Sequence, residues 1–327
     1  MRQKILQLLR DNSSGYFSGE EMARMLGVSR TAIWKNIQSL LLDGYHIESS
    51  PRLGYRLVRV PDLLYPAEIL KGLKTKIIAS GPELIYHFLQ VDSTNTSLKK
   101  LADQGAADGT VVIAEEQTAG RGRLGRSWFS PAGKSITLSI LLRPSLAPGN
   151  TPLFTLMTAA AIVRGIKNIL PDISVGIKWP NDLMINKRKV SGILTELKAE
   201  ADLLHYLIIG IGININSEEK DFPPELRNIA TSLFLENNKT KISRQQLLCE
   251  ILQELDDAYR RYFLENPAFI IKEWKKFDIT LGRKITVKTI KDTFIGTAVD
   301  LAADGSLILE EVGGKKRQFQ AGEVTLV

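Results

Sequence analysis

Little in this 327-residue chain speaks for a disulfide scaffold, a metal centre or a membrane protein. It has one cysteine, Cys249, so no disulfide can form within the chain, which fits a reducing compartment. Leu247, Leu248, Ile251, Leu252 and Leu255 surround that cysteine at helical spacing, which makes it a packing residue and not a nucleophile. The three histidines, His46, His87 and His205, lack metal-ligand spacing, so no metal is expected from the protein's own side chains. No run approaches the roughly 18 apolar residues of a membrane helix. Arg2, Lys4 and Arg10 lie in an N-terminal stretch with no long apolar run, so we expect no leader peptide, no membrane association and a cytoplasmic location. Repeats and low-complexity tracts are also missing.

What is present is an ordinary globular balance, 44% hydrophobic and 24% charged, enough to bury a sizeable core. The length predicts two or three domains. A net charge of +7 suits nucleic acid or phosphate-bearing ligands without requiring them.

Residues 1–60 read as three short helices and a hairpin. Ile5, Leu6, Leu8 and Leu9 form the first apolar face. Ser18-Gly19-Glu20-Glu21 reads as a capping box, in which Ser18 accepts from a backbone N–H and Glu21 reaches back. Gly27 suits the end of that helix and Ser29 the start of the next, whose apolar face is Ile33, Ile37, Leu40 and Leu41. Tyr45 to Glu48 and Tyr55 to Val58 are short strands around a turn. Helix, helix, tight turn, helix, hairpin is the winged helix-turn-helix order. A DNA-binding surface is expected over Gly19 to Gln38, chiefly Arg30, Thr31, Trp34, Lys35, Asn36 and Gln38, with Arg52 in the wing. Nine Lys/Arg against five Asp/Glu put +4 of the chain's excess here. A protein-binding module with a solvated basic face is the competing reading.

Beyond the prolines at 61 and 66 the pattern mixes strands and helices. Strands are expected at 111–116, 135–142, 174–178, 190–197 and 206–213, and helices at 95–103, 152–169, 243–264 and 267–276. Short connections between 174 and 213 favour a mixed sheet over a regular parallel repeat. After residue 280, β-rich runs at 284–290, 293–300, 306–310, 316–320 and 323–327 alternate with Asp-Gly and Gly-Gly turns, as in a small antiparallel barrel.

Gly120-Arg121-Gly122-Arg123-Leu124-Gly125-Arg126-Ser127-Trp128 is the most informative stretch. It fits G-x-G-x-x-G formally and nearly fits a P-loop, yet a strand follows it where those motifs need a helix N-terminus. Three arginines within six residues instead suit a multiply charged anion, to which guanidinium offers forked hydrogen bonds. The glycines let the loop approach that ligand, ordering as it binds. Lys178-Trp179-Pro180-Asn181-Asp182 presents a lysine at a strand end beside a stiff bend. Gly192 and Gly212 interrupt apolar strands, as happens where a ligand approaches closely. An inert basic loop and a plain surface lysine are what each motif alone would leave open.

Together these residues resemble the bifunctional biotin–protein ligases that also act as biotin operon repressors. The resemblance spans essentially the whole chain. It rests on Ser93-Thr94-Asn95, Gln117, Gly120 to Gly125, Trp128-Phe129-Ser130-Pro131, Lys178 to Asp182, Ser191 to Leu194, Gly212-Ile213-Asn214 and Ala230 to Leu233. It implies an α+β protein. A winged helix-turn-helix would occupy 1–62, a mixed α/β ligase core 78–277, and a small SH3-like β-barrel 280–327. It implies that biotin attacks the α-phosphate of MgATP, and that biotinyl-5′-AMP then acylates a lysine of the biotin carboxyl carrier protein. Ser93, Thr94, Asn95, Gln117, Gly122 and Gly192 would hold biotin with Arg121. Arg123 would close over the adenylate, and Lys178 would bridge carboxylate and α-phosphate. Arg126, Trp128, Asn214 and, more weakly supported, Arg227 would serve the nucleotide. ATP, Mg²⁺ and biotin are the implied small molecules. The adenylate-bound form would be a homodimer on a two-fold operator. A ligase for a similar acid such as lipoate, a ligand-sensing repressor with weak or absent ligase activity, and a ligase that no longer binds DNA remain the alternatives.

Overall fold

The computed structural model describes every residue except 13, 14, 145–147, 201, 202, 290 and 327, and only the backbone of Gln3. The chain divides into two compact units, Met1–Leu63 and Leu64–Val327.

The first unit runs α1 (Arg2–Asp11), α2 (Gly19–Leu26), α3 (Arg30–Leu42), β1 (His46–Ser50) and β2 (Gly54–Arg59). Ile5, Leu6 and Leu9 of α1 pack with Ile33, Ile37 and Leu40 of α3 in its buried core, and Leu8 is half-buried. Leu41, expected on the same face, is exposed, because a hundred-degree step from Leu40 carries it past the edge of the stripe. Ser18 accepts from the amides of Glu20 and Glu21, but among the described residues Glu21 does not complete the reciprocal half of the box. Gly27 takes a left-handed φ of 65° and Ser29 caps α3. β1 and β2 pair antiparallel, and Phe17 bridges to Tyr55 beside them. Gly54 is required there: its φ is +103°, and a Cβ would collide with the Phe17 carbonyl.

The second unit begins with α4 (Pro66–Gly72), β3 (Ile85–Val91), α5 (Thr94–Asp103), β4 (Val111–Gln117), β5 (Ser135–Leu142) and α6 (Pro152–Ile169). β6 (Gly176–Lys178), β7 (Asp182–Ile185), β8 (Arg188–Glu200) and β9 (Leu203–Asn214) follow, then α7 (Leu233–Glu236), α8 (Arg244–Leu264) and α9 (Ala268–Lys275). Its seven strands lie in the order β3-β4-β5-β9-β8-β7-β6, parallel only between β3 and β4. Residues alternate across this sheet. Val112, Leu141, Tyr206 and Ile208 face Leu98 and Ala102 of α5, while Val111, Ile113, Ile140 and Ile209 join the larger core with α6 and α8. The expected helices form within a residue or two of their bounds. β3 and β7 were not expected. β3 is an edge strand whose exposed Tyr86, Phe88 and Leu89 break the alternation, and β7 begins inside the stretch read as a rigid turn.

β10 (Lys284–Lys288), β11 (Thr293–Leu301), β12 (Leu307–Glu311), β13 (Lys316–Phe319) and β14 (Glu323–Leu326) form the expected small C-terminal β domain, an antiparallel sheet in the order β13-β12-β11-β10-β14. Residues 290 and 327 of the expected strands lie outside the described residues. This sheet is tied to the Lys178 turn: Trp179 is buried and its indole N–H donates to the Gly305 carbonyl at 3.2 Å. Among the described residues no helix is long and apolar enough to cross a membrane.

At the head of this unit the Leu64 amide donates to Glu115 Oε1 at 2.6 Å. Glu115, on β4, also meets His87 Nε2 at 3.1 Å and Arg244 Nη1 at 2.8 Å, all three side chains being buried.

Candidate functional site

The N-terminus of α5 enters the site beside the ends of β4, β5 and β8. Thr94 donates both its amide (2.8 Å) and its hydroxyl (3.0 Å) to Gln117 Oε1 at the end of β4. Ser139 Oγ on β5 lies 2.7 Å from Thr94 Oγ1 and 2.5 Å from Asn95 Oδ1. Asn95 Nδ2 donates to Glu196 Oε2 on β8 at 2.6 Å, and Arg121 Nη2 reaches the same oxygen at 3.2 Å. Gly210 makes room for this cluster, since a Cβ there would strike Asn95.

The arginine–glycine loop is a tight hairpin, closed by Gly122 N to Arg126 O (2.6 Å) and Trp128 N to Gly120 O (2.8 Å). A single 3₁₀ turn spans Arg123–Gly125, and β5 follows the loop, so no helix dipole faces its glycines. Its guanidiniums separate. Arg121 pairs with Glu196, Arg123 donates to Asn181 Oδ1 at 2.9 Å, and Arg126 pairs with Glu323 of β14. Burial lowers the Arg123 pKa, against the pull of Asp182 and Glu323. It remains a cation in the wall of the site.

Trp128 lies over the glycines of β8 and β9. A Cβ at Gly212 would collide with its ring, and one at Gly192 would stand 3.3 Å from Cζ3. Its Nε1 is buried without a hydrogen-bond partner among the described residues. So is Oδ1 of Asn214, whose Nδ2 donates to the Thr231 carbonyl at 3.0 Å. Two buried polar atoms without partners are what the polar edge of a ligand would satisfy.

The lysine turn carries two ammonium groups on one carboxylate. Asp182 Oδ2 lies 3.7 Å from Lys178 Nζ, and Oδ1 lies 2.5 Å from Lys189 Nζ. Asn181 Nδ2 donates to the Ile193 carbonyl at 2.9 Å, which fixes its Oδ1 toward Arg123.

Two clefts result. The first, about 450 Å³, is lined by Ser93, Thr94, Asn95, Gln117, Arg121, Gly122, Arg123, Trp128 and Gly192 together with Asn181 and Lys189. The second, about 620 Å³, is lined by Lys178, Asp182, Arg126 and Glu323, and shares Gly122, Arg123, Trp128, Asn181 and Lys189 with the first. Lys178 therefore belongs to the second cleft and not to the first. Arg227 lines neither; its Nε donates to the Phe222 carbonyl at 3.1 Å. Nothing in the local sequence singles out Lys189, Glu196 or Glu323, or the carboxylate role of Asp182. Each depends on strand register, which no local motif records.

In the first unit Arg30, Thr31, Trp34, Lys35 and Gln38 are exposed on α3, and Arg52 is exposed in the wing turn. Asn36 is half-buried and donates to the Ala32 carbonyl at 2.7 Å, so one amide hydrogen is already committed to its own helix.

The Biotin/lipoate A/B protein ligase family matches residues 88–214, an HTH domain residues 1–56, and the Biotin protein ligase C terminal domain residues 280–327. The Bifunctional ligase/repressor BirA of Bacillus subtilis is 40% identical over 98% of this chain and 97% of its own length. The protein of the same name in Escherichia coli K12 is 30% identical over 99% and 96%. Among solved structures, the biotin protein ligase from Aquifex aeolicus in complex with biotin and ATP covers 74% of this chain and 98% of its own, with a TM-score of 0.63 and 27% identity. With helix-turn-helix, ligase core and C-terminal domain in that order and identity sustained from end to end, the chain belongs to the bifunctional ligase/repressor BirA family.

Proposed function

We propose that this chain makes biotinyl-5′-adenylate in its paired clefts, passes the biotinyl group to a carrier-protein lysine, and represses transcription as a DNA-bound dimer when adenylate accumulates. Ligase and repressor are two functions of one polypeptide: it is a biotin–protein ligase using biotin and ATP, and its helix-turn-helix makes it a DNA-binding repressor. The observation that carries the adenylation reading is continuity. A polar cleft suited to a small acid and a cation-lined cleft suited to phosphates share Arg123, Asn181, Trp128 and Lys189.

In this reading Ser93, Thr94, Asn95 and Gln117 hold the biotin head group, with Gly122 and Gly192 allowing close approach and Arg121 at the same end. Trp128 stacks on adenine, and Asn214 offers it the unpaired Oδ1. Arg123 closes over the mixed anhydride. Lys178, expected between carboxylate and α-phosphate, lines only the second of the two joined clefts, so it meets the anhydride from the nucleotide side; Arg126 and, more remotely, Arg227 serve the nucleotide. A carboxylate oxygen bonds to the α-phosphorus while the bond to the β-phosphate oxygen breaks, and the electron pair leaves with pyrophosphate. The carrier lysine's amine then attacks the acyl carbon, loses a proton, and releases AMP. Fixed cations lower the barrier by meeting charge as it moves onto the leaving group, and the clefts hold the reactants in line. Magnesium, brought in with ATP, would neutralise the phosphates.

The test is to mix the protein with biotin, MgATP and an apo carrier domain and weigh the carrier. One biotinyl addition on one lysine is expected. Turnover with lipoate alone would sink the assignment. Operator DNA retarded more strongly with biotin plus ATP than without tests the repressor coupling.

A further inference from the structure

Glu196 lines neither cleft, yet it holds two residues that line the first. On β8 it pairs in register with Ile208 of β9, whose side chain packs under α5, so its carboxylate stands on the face of the sheet that meets that helix. One oxygen, Oε2, accepts from Asn95 Nδ2 at 2.6 Å and from Arg121 Nη2 at 3.2 Å. Asn95 is buried in the wall of the cleft, and its Oδ1 accepts from Ser139. Turning that amide over would set its oxygen against a carboxylate, so Glu196 fixes which way it points. Arg121 stands at the base of the arginine–glycine hairpin, where its backbone bridges to Ser127. Its guanidinium also reaches Thr96 Oγ1 at 3.3 Å, and among the described residues Glu196 is the one carboxylate paired with it. One group outside the cleft therefore ties a preset wall to a loop whose three arginines repel one another.

We propose that Glu196 is a positioning residue, a latch that fixes the Asn95 amide and, through Arg121, draws the base of the arginine–glycine loop against the biotin end of the site. This deepens the ligase reading above and rests on it for the identity of the ligand. Glu196 touches no substrate and moves no proton. Its charge offsets that of the arginines and keeps Arg121 beside Thr96, so the empty loop already lies near the position in which it closes. A loop held ready loses less conformational freedom when biotin arrives, and biotin is retained longer. The Glu196–Arg121 pair is partly exposed, so the effect is moderate.

The test uses the full chain with Glu196→Gln, which keeps the length and an oxygen for Asn95 but removes the charge that Arg121 meets. Without ligand, trypsin is expected to cut after Arg121, Arg123 or Arg126 about five- to tenfold faster than in the wild type, read from fragment masses, because cutting follows the population of the open loop. In biotin-dependent exchange of pyrophosphate into ATP, the KM for biotin is expected to rise by a similar factor while kcat changes much less. Arg121→Met breaks the same latch from the loop side. Adding Glu196→Gln to it is therefore expected to raise the KM further by no more than about twofold, since residues that act through one contact are not additive. Loop cutting and KM both at wild-type values in Glu196→Gln would overturn the proposal. So would full, independent losses in the double variant, because the two residues would then act separately. If Glu196→Gln melts well below the wild type, Glu196→Asp decides the matter. It keeps the charge but is one methylene short of spanning Asn95 and Arg121, so faster loop cutting is expected, and cutting at the wild-type rate would overturn the latch. Should the unaltered protein show no biotin-dependent exchange, the ligase reading itself fails, while the trypsin result on the ligand-free chain still reports on the latch.

Discussion

Arg123 stands in both clefts and spends one hydrogen bond on Asn181, leaving the rest of its guanidinium to whatever fills the site. Hydrogen bonds to charged groups contribute about 1.5–3 kcal/mol, so Arg123→Ala is expected to release preformed adenylate about 10- to 100-fold faster, as a chase with unlabelled ligand would measure. The neighbouring cluster has a shortage of hydrogens. Ser139 has one hydroxyl proton and two acceptors within 2.7 Å, Thr94 Oγ1 and Asn95 Oδ1, while the Thr94 proton is committed to Gln117. A ligand that brings an N–H satisfies the acceptor left over; the dithiolane of lipoate brings none. Pyrophosphate release is therefore expected to favour biotin over lipoate by about 10²-fold or more, since a site with an unmatched polar group rejects the analogue that leaves it so. The loop arginines and Lys178 were legible in the sequence because residue type and local spacing carry their chemistry. Lys189 and Glu196 were not. Their partners, Asp182 and the Asn95–Arg121 pair, are brought in by the pairing of β7 with β8 and by α5.

Among the elements, α3, α6 and α8 were plain in the sequence, because their apolar residues repeat with the helical period and their caps or prolines mark their starts. β3 was not, since as a parallel edge strand it has only one neighbour and leaves Phe88 and Leu89 exposed. β4 shows what an element can concentrate. Burial alone would raise the pKa of Glu115, but the His87 bond, the Arg244 charge and the Leu64 amide together hold it below its ordinary value of 4.5. A carboxyl depressed in the folded state stabilises above that ordinary value, and the contribution is lost as pH falls through the lower folded one. Glu115→Gln removes the buried carboxylate that both Arg244 and His87 face, so it is expected to cost up to about 3–5 kcal/mol at neutral pH. Urea unfolding of both proteins should show the gap narrowing in acid below pH 4.5. A gap independent of pH would contradict the assignment.

For the whole molecule, a DNA-binding unit closed at Leu63 and a separate unit carrying both clefts predict separable activities. Deleting residues 1–63 is expected to abolish operator binding while carrier biotinylation persists, checked by gel retardation and by carrier mass. Binding by the intact protein is expected to weaken steeply with salt, as phosphate contacts by Arg30, Lys35 and Arg52 require. The order of domains was readable from the chain because each has its own periodicity. The bond from the Leu64 amide to Glu115 was not, because its two partners lie fifty-one residues apart in the sequence. The Leu64 amide is moored to Glu115, and two residues along the same strand Gln117 lines the first cleft. A ligand that displaced this strand would pull on the Leu64 bond as well.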